Sequence, residues 1–195
     1  MGSKERISRL KEETRGNILR AAFEIVKEEG WIGLSMRKIA DRIEYTAPII
    51  YEYFTNKEAI LNELARIGFE DLDEVLEEAQ KAHTIPEEQL EAMWMAFWEF
   101  GLHNRKIYQI MFGVEMTCCI GMVPESQLPS RRFCPVISKL LSERNRDAGI
   151  CRQKYFSFFS VIHGLLSINL VGKGLTEEMN NQILKDAIVG IIKTV

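Results

Sequence analysis

The stretch LSMRKIADRIEYTAPIIYEYFTNK, running from Leu34 to Lys57, decides the fold. Its pattern predicts two short helices joined by a tight turn. In the first, Ser35 to about Ile43, Ser35 is placed to cap the backbone, and Met36, Ile39, Ala40 and Ile43 recur at helical spacing. The second runs from about Thr46 to Tyr53. Thr46 is its N-cap, and Pro48 sits in the first turn, where the N–H it lacks would have had no intrahelical partner. A turn of a few residues separates the two. The pattern is that of a helix-turn-helix, whose second helix enters the DNA major groove while the first crosses the backbone.

The flanks extend this pattern. Upstream, a helix is predicted from Thr14 to Glu29, with Ile18, Leu19, Ala22, Phe23 and Val26 inward, and Gly30 as its stop. Residues 1–13 read as frayed, with Lys4, Arg6, Arg9 and Lys11 within reach of phosphates or the minor groove. Downstream, Thr55-Asn56-Lys57-Glu58 fits a capping box and opens a long helix to about Ala82, with Leu61, Leu64, Leu72, Val75 and Leu76 buried. A second box, Thr84-Ile85-Pro86-Glu87, opens a helix to about Gly101 that is dense in Met93, Trp94, Met95, Phe97, Trp98 and Phe100. A short helix follows from Asn104 to Phe112, then a loop or lid over residues 113–129. Three more helices are predicted: Arg131–Asp147, Arg152–Val171 and Glu177–Lys193. The last two carry apolar residues on more than one face, which a one-sided surface helix does not need. A partner subunit or a deep intrachain position would explain them. No β-run or internal repeat stands out, so the fold class is all-α.

At 195 residues, 46% hydrophobic and 27% charged, the chain can bury a sizeable core under a soluble surface. We read no membrane span, and the N-terminus MGSKERISRLKEE is too charged for a signal peptide, so the expectation is a cytoplasmic protein. The net charge of −3 argues against nucleic acid when taken alone. Its distribution does not: residues 1–57 carry eleven Lys/Arg against nine Asp/Glu, and the remainder fourteen against nineteen. The four cysteines (Cys118, Cys119, Cys134, Cys151) lack metal spacing and read as reduced; the adjacent Cys118–Cys119 pair could sense oxidants or bind a soft metal. No cofactor, metal set, phosphate loop or nucleophile–base pair is found, so an enzyme is not expected.

The segments ILRAAFEIVKEEGW, LSMRKIADRI and TAPIIYEYFTNKEAIL together resemble the TetR family of bacterial transcriptional regulators. The last segment matches a family pattern of Ser/Thr, two variable positions, an aliphatic pair, Tyr-x-Tyr/His-Phe and Lys-Glu. Two positions depart from it: Glu44 stands where the turn usually has Gly, and Tyr45 where it usually has Val. If Glu44 takes a positive φ, the turn loses about 1 kcal/mol relative to Gly. The weaker matches YQIMFG (Tyr108–Gly113) and Ile162–Gly164 lie in the variable part.

The resemblance implies an N-terminal helix-turn-helix DNA-binding domain, 1–57, and a helical ligand-binding and dimerisation domain, 58–195, with about nine helices in all. It places Thr46, Ala47, Pro48 and Ile49 at the base edges. Three of these have no side-chain donor and would pack on thymine methyls. Arg37 becomes the polar base or phosphate contact, with Lys38 beside it; Ser35, Tyr51, Tyr53 and Lys57 would fix the register on phosphates. The ring of Tyr51 has core packing as its ordinary alternative, and Lys57 a solvated helix start. Glu52 is expected on the outer side of the head.

The Met and aromatic stripe from Met93 to Met116 is either core or the wall of a ligand cavity. The candidate lining is Trp94, Phe97, Trp98, Tyr108, Met111 and Phe112, with His163 as polar anchor, for an apolar or aromatic small molecule. Phe159, Ile162, Leu166, Ile183, Ala187 and Ile191 are the expected homodimer interface. The expected function is a ligand-responsive regulator, a repressor released from a near-palindromic double-stranded operator by its effector. The rival readings are a scaffold or partner-binding protein that has lost DNA binding, and a helical-body enzyme.

Overall fold

The computed structural model describes residues 3–113, 123–141, 147–172 and 174–194. Among these, nine α-helices and one 3-10 turn account for the ordered elements: α1 Ser3–Gly33, α2 Met36–Arg42, α3 Ala47–Tyr53, α4 Lys57–Lys81, α5 Pro86–His103, α6 Arg105–Phe112, the turn Pro124–Gln127, α7 Leu128–Leu140, α8 Ala148–Val171 and α9 Glu177–Ile192. The fold class expected from periodicity is the one observed.

The chain divides into two compact units, residues 1–68 with 106–123, and residues 69–105 with 124–195. The first is built on α1 to α3, the start of α4, and α6. Its core takes Ile18, Ala22, Ile25 and Val26 from α1, Ile39 and Ala40 from α2, and Ile50 from α3. Phe54, Ile60 and Leu61 complete it, and all ten are at most 5% exposed. Gly30, at φ 77°, breaks the helical path of α1 as the sequence predicted, although a further turn carries the element to Gly33. Within the same unit Gly68 lets α6 seat on α4: a Cβ there would meet Ile107 Cγ2 at 2.6 Å and Met111 Sδ at 2.7 Å.

The second unit packs α5 against α7 and α8, and α8 against α7 and α9. Arg132 on α7 forks onto Asp73 Oδ1 and Oδ2 of α4 at 2.5 and 2.6 Å, and reaches Glu77 at 3.3 Å. The α8–α9 turn is held by a reciprocal amide pair. Asn169 Nδ2 donates to Asn180 Oδ1 at 2.9 Å, and Asn180 Nδ2 donates back to Asn169 Oδ1 at 3.0 Å. Asn169 Oδ1 also accepts from the Leu175 amide, so three backbone and side-chain groups of the turn are satisfied out of water.

Several expectations are corrected. Residues 3–13 are helical, because the basic and acidic residues there are ordinary helix formers and add three turns to α1. Neither capping box closes. Asn56, not Thr55, caps α4, its Oδ1 accepting from the Ala59 amide at 2.8 Å. Before α5 no side chain caps the helix; Gln89 instead turns back to donate to the Gln80 and His83 carbonyls. α7 starts at Leu128 and ends at Leu140, so Pro135 lies inside it, and the expected loop is reduced on its described side to the turn before it. Val75 faces solvent. α8 begins at Ala148, its cap Asp147 accepting from the Gly149 amide. By length and composition α8 also passes as a membrane span, contrary to the expectation. Its packing against α5, α7 and α9 and its buried Asn169 place one side of it in the core of the second unit. Cys134 and Cys151 are free thiols; Cys118, Cys119 and Met116 lie outside the described residues.

Candidate nucleic-acid interface

The interface candidate starts from two buried residues. Ile50 (0% exposed) and Phe54 (5%) stand one helical turn apart and pin one side of α3 to the core of the first unit. Everything on the opposite side is thereby turned outward. Thr46, Pro48, Tyr51 and Glu52 are exposed, and Ala47, Ile49 and Tyr53 are half-buried. Tyr51 is 55% exposed, which removes core packing as the account of its ring. Thr46 occupies the N-cap position but makes no side-chain cap hydrogen bond, so its hydroxyl is not spent on the helix.

The turn that aims α3 depends on Glu44. It adopts φ 58°, the left-handed conformation that favours glycine. The Tyr45 amide then bonds back to the Ala40 carbonyl at 2.9 Å, closing α2 in the manner of a Schellman motif. Ser35 Oγ accepts from the Lys38 amide at 3.2 Å, so this residue caps α2 as predicted.

The cations sort into held and unheld groups. Lys38 is ion-paired to Glu29. Arg42 forks onto Glu28 at 2.9 and 2.6 Å and lies 3.7 Å from Glu24; its hydrogen bond holds the Glu28 carboxyl below the ordinary value. Arg15 bonds Glu63 at 3.1 Å and lies over the Phe54 ring. Burial pushes the Glu63 carboxyl up, but hydrogen bonds from Arg15 and Arg66 outweigh it and the net shift is downward. Lys57 reaches the Ile32 carbonyl at 3.4 Å and lies 5.4 Å from the Trp31 ring centroid, so it is anchored rather than simply solvated. Of the three cations on α2, Arg37 is the least committed: its side chain is 89% exposed and only grazes Asp41 at 4.0 Å. The held pairs lock α1 to α2, and α1 to α4, leaving Arg37 as the exposed positive group of α2.

The residues proposed for the ligand fall in both units. Trp94, Phe97, Trp98 and His163 belong to the second; Tyr108, Met111 and Phe112 belong to the first. In the second, Trp94 stacks on Phe133 (ring centroids 3.9 Å) and on Phe158 (5.1 Å), with Phe97 at 5.7 Å and Tyr155 at 5.8 Å. His163 stacks on Phe159 at 5.1 Å, and burial lowers its pKa. In the first unit, Tyr108 packs against Phe112 at 4.5 Å. The sequence reading missed Phe133 as a member of the cluster; its place one turn before Ile137 on the same side of α7 was the available signal.

The interface candidates on α8 and α9 need correction. Ile162 (1% exposed) and Leu166 (0%) are spent on the chain's own core and cannot serve a partner. Phe159, Ala187 and Ile191 are half-buried, and Ile183 is exposed. The exposed apolar residues here are instead Phe156, Ile168, Val171, Met179, Ile183 and Val189.

Residues 18–64 match the family described as bacterial regulatory proteins, tetR family. Over 150 residues, 76% of this chain and 67% of the relative, the sequence is 29% identical to the HTH-type transcriptional activator FasR of Mycolicibacterium smegmatis. Among solved structures, a protein of unknown function from Rhodococcus sp. RHA1 superposes with a TM-score of 0.76 at 18% identity, covering 93% of this chain and 94% of that one. The transcriptional regulator FadR from Bacillus subtilis, solved in complex with stearoyl-CoA, gives 0.65 at 18% identity, over 89% and 97%. At such identities the two structures establish a shared fold.

Proposed function

We propose that this chain, whose residues 18–64 match the tetR family of bacterial regulatory proteins, is a member of that family and a transcriptional regulator that reads a near-palindromic operator as a homodimer and answers to an apolar effector. The observation that carries the reading is α3: it is fixed from behind by Ile50 and Phe54, and offers Thr46, Pro48 and Tyr51 to solvent, with Arg37 exposed on α2. Thr46, Ala47, Pro48 and Ile49 meet base edges, chiefly thymine methyls. Arg37 makes the polar contact, and Tyr51, Tyr53 and Lys57 position the head on phosphates. Ser35 and Lys38 act through α2, one as its cap and one as its tie to α1.

In this reading residues 1–57 serve DNA and residues 58–195 serve ligand and partner, a division by role that cuts across the two compact units. α4 is one uninterrupted helix of 25 residues, roughly 38 Å at ~1.5 Å per residue, and the natural lever between those roles. An effector that shifts it would change operator affinity by 5- to 150-fold for a coupling of about 1–3 kcal/mol. The stearoyl-CoA bound by FadR makes a fatty acyl chain one concrete class of apolar effector. Repression is the output the family resemblance suggests; the name of FasR supports activation as a second reading. The scaffold and enzyme readings have no comparable support, since the matched family and FasR are regulators.

DNase footprinting upstream of the protein's own gene tests the reading. A two-fold symmetric protected site is the expected result, and a purified protein that protects no sequence at low salt overturns it. A reporter under that promoter, with and without the protein, then reads repression or activation.

A further inference from the structure

Trp94 is fully buried, at 0% exposure, and its indole Nε1–H has no hydrogen-bond partner. Its surroundings explain why. Phe133 and Phe158 stack on it, Phe97 and Tyr155 stand tilted to it at 5.7 and 5.8 Å between ring centroids, and Leu90 and Met93 are its neighbours on α5, all of them buried. An indole N–H donates and cannot accept. Leaving such a donor unmade in a dry, aromatic place is costly, and native interiors avoid it. The missing group is therefore an acceptor. A carboxylate is the wrong one, because burying its charge among aromatic rings costs more than one hydrogen bond returns.

We propose that the Trp94 N–H is the polar contact of a ligand site inside the α5–α7–α8 cluster, and that the ligand group it takes is a neutral carbonyl on an otherwise apolar molecule: a ketone, aldehyde, ester or thioester. These rings are buried, so the ligand enters by displacing part of the cluster at the indole edge that carries the N–H. The proposal deepens the ligand-responsive reading above and rests on it for its biological meaning; the chemistry of the site stands on the orphaned donor.

Three small probes of one shape test it: acetophenone, ethylbenzene and benzoate. Their affinities are measured on the wild-type chain and on Trp94→Phe, which keeps a ring and loses the N–H. The preference for acetophenone over ethylbenzene should fall at least about fivefold in the variant, the ratio one net hydrogen bond supports. Benzoate should bind more weakly than either. A readout that needs no functional variant is the indole N–H region of a proton–nitrogen correlation spectrum, where the chain's three tryptophans give separate signals. The Trp94 signal, identified by elimination with Trp31→Phe and Trp98→Phe, should move downfield with acetophenone and not with ethylbenzene.

An unchanged preference, an unmoved signal, tighter binding of benzoate, or no binding of either neutral probe overturns the proposal. Footprinting on the same preparation separates the two failures. Protected DNA without a carbonyl preference sinks the site and leaves the regulator; a carbonyl preference without protected DNA does the reverse.

Discussion

At the scale of single residues, the head carries a backbone cost at Glu44 and a highly exposed cation at Arg37. Glu44 holds φ 58°, where a Cβ crowds the neighbouring carbonyl. Glu44→Gly should therefore raise the stability of the fold by about 1 kcal/mol, read as a shift of the urea midpoint; an unchanged or lowered midpoint would show that the glutamate side chain offsets the strain. Arg37→Ala should leave that midpoint in place, since the side chain is 89% exposed, yet weaken operator binding. The loss should be about 1–3 kcal/mol if it reads a base, or one unit of salt slope if it meets a phosphate. In the body, burial lowers the pKa of His163 below its unfolded value of 6.5. The unfolded chain then binds the proton more readily, so stability is present at neutral pH and is lost as pH falls below about 6.5, by at most about 1.4 kcal/mol per pH unit. His163→Phe should flatten that slope in thermal melts between pH 7 and pH 5. The strain at Glu44 was legible only through the family resemblance, because Glu44 stands where that pattern usually has Gly. The ties that anchor Lys57 and Lys38 were not, because each joins α1 to a different helix, and no helical spacing encodes them.

At the scale of elements, helix existence was legible and helix ends were not. Apolar residues at a 3.6 spacing announce a helix whatever surrounds it, and all nine among the described residues were foreseen. Caps are decided by competition between neighbouring polar side chains. Thr55 and Asn56 both suit the start of α4, and the amide of Asn56 wins the Ala59 N–H. Gln89 sits three residues past Pro86 and spends its side chain on the carbonyls that end α4, a use that its sequence position does not reveal. The α8–α9 turn shows what such polar choices are worth. Asn169 and Asn180 satisfy each other at 2.9 and 3.0 Å inside the second unit. Asn169→Ala strands Asn180 Oδ1 and the Leu175 N–H, while Asn180 Nδ2 keeps the Leu175 carbonyl, and should cost about 2–3 kcal/mol in urea unfolding. Asn180→Ala should cost a similar amount, and the double variant should fall well short of the sum, because both changes break one network. Full additivity would mean that the two amides contribute separately.

At the scale of the molecule, the decisive unread quantity was which sides of α8 and α9 the chain covers for itself. α8 is apolar around much of its circumference, so its sequence cannot separate Leu166, which packs inward at 0% exposure, from Ile168, which is 53% exposed two residues later. The structure separates them. Ile168 and Val171 on α8, and Met179 and Ile183 on α9, remain exposed together with open space over Gly164 and Gly190. So many large apolar side chains left in water argue for a covered surface, and a second copy is the occupant that the palindromic operator proposed above would require. The 22.5 kDa chain should then sediment at twice its mass. Ile168→Arg with Met179→Glu should return it to the monomer mass, while Leu166→Ala should lower its stability by about 2–5 kcal/mol with its association intact. The monomer should still recognise a half-site, but its affinity for the whole operator should fall by 10²- to 10⁴-fold, the contribution of holding two heads on one body. A double variant that remains dimeric would place the interface elsewhere, and a monomeric wild-type chain that binds the full operator tightly would remove the need for one.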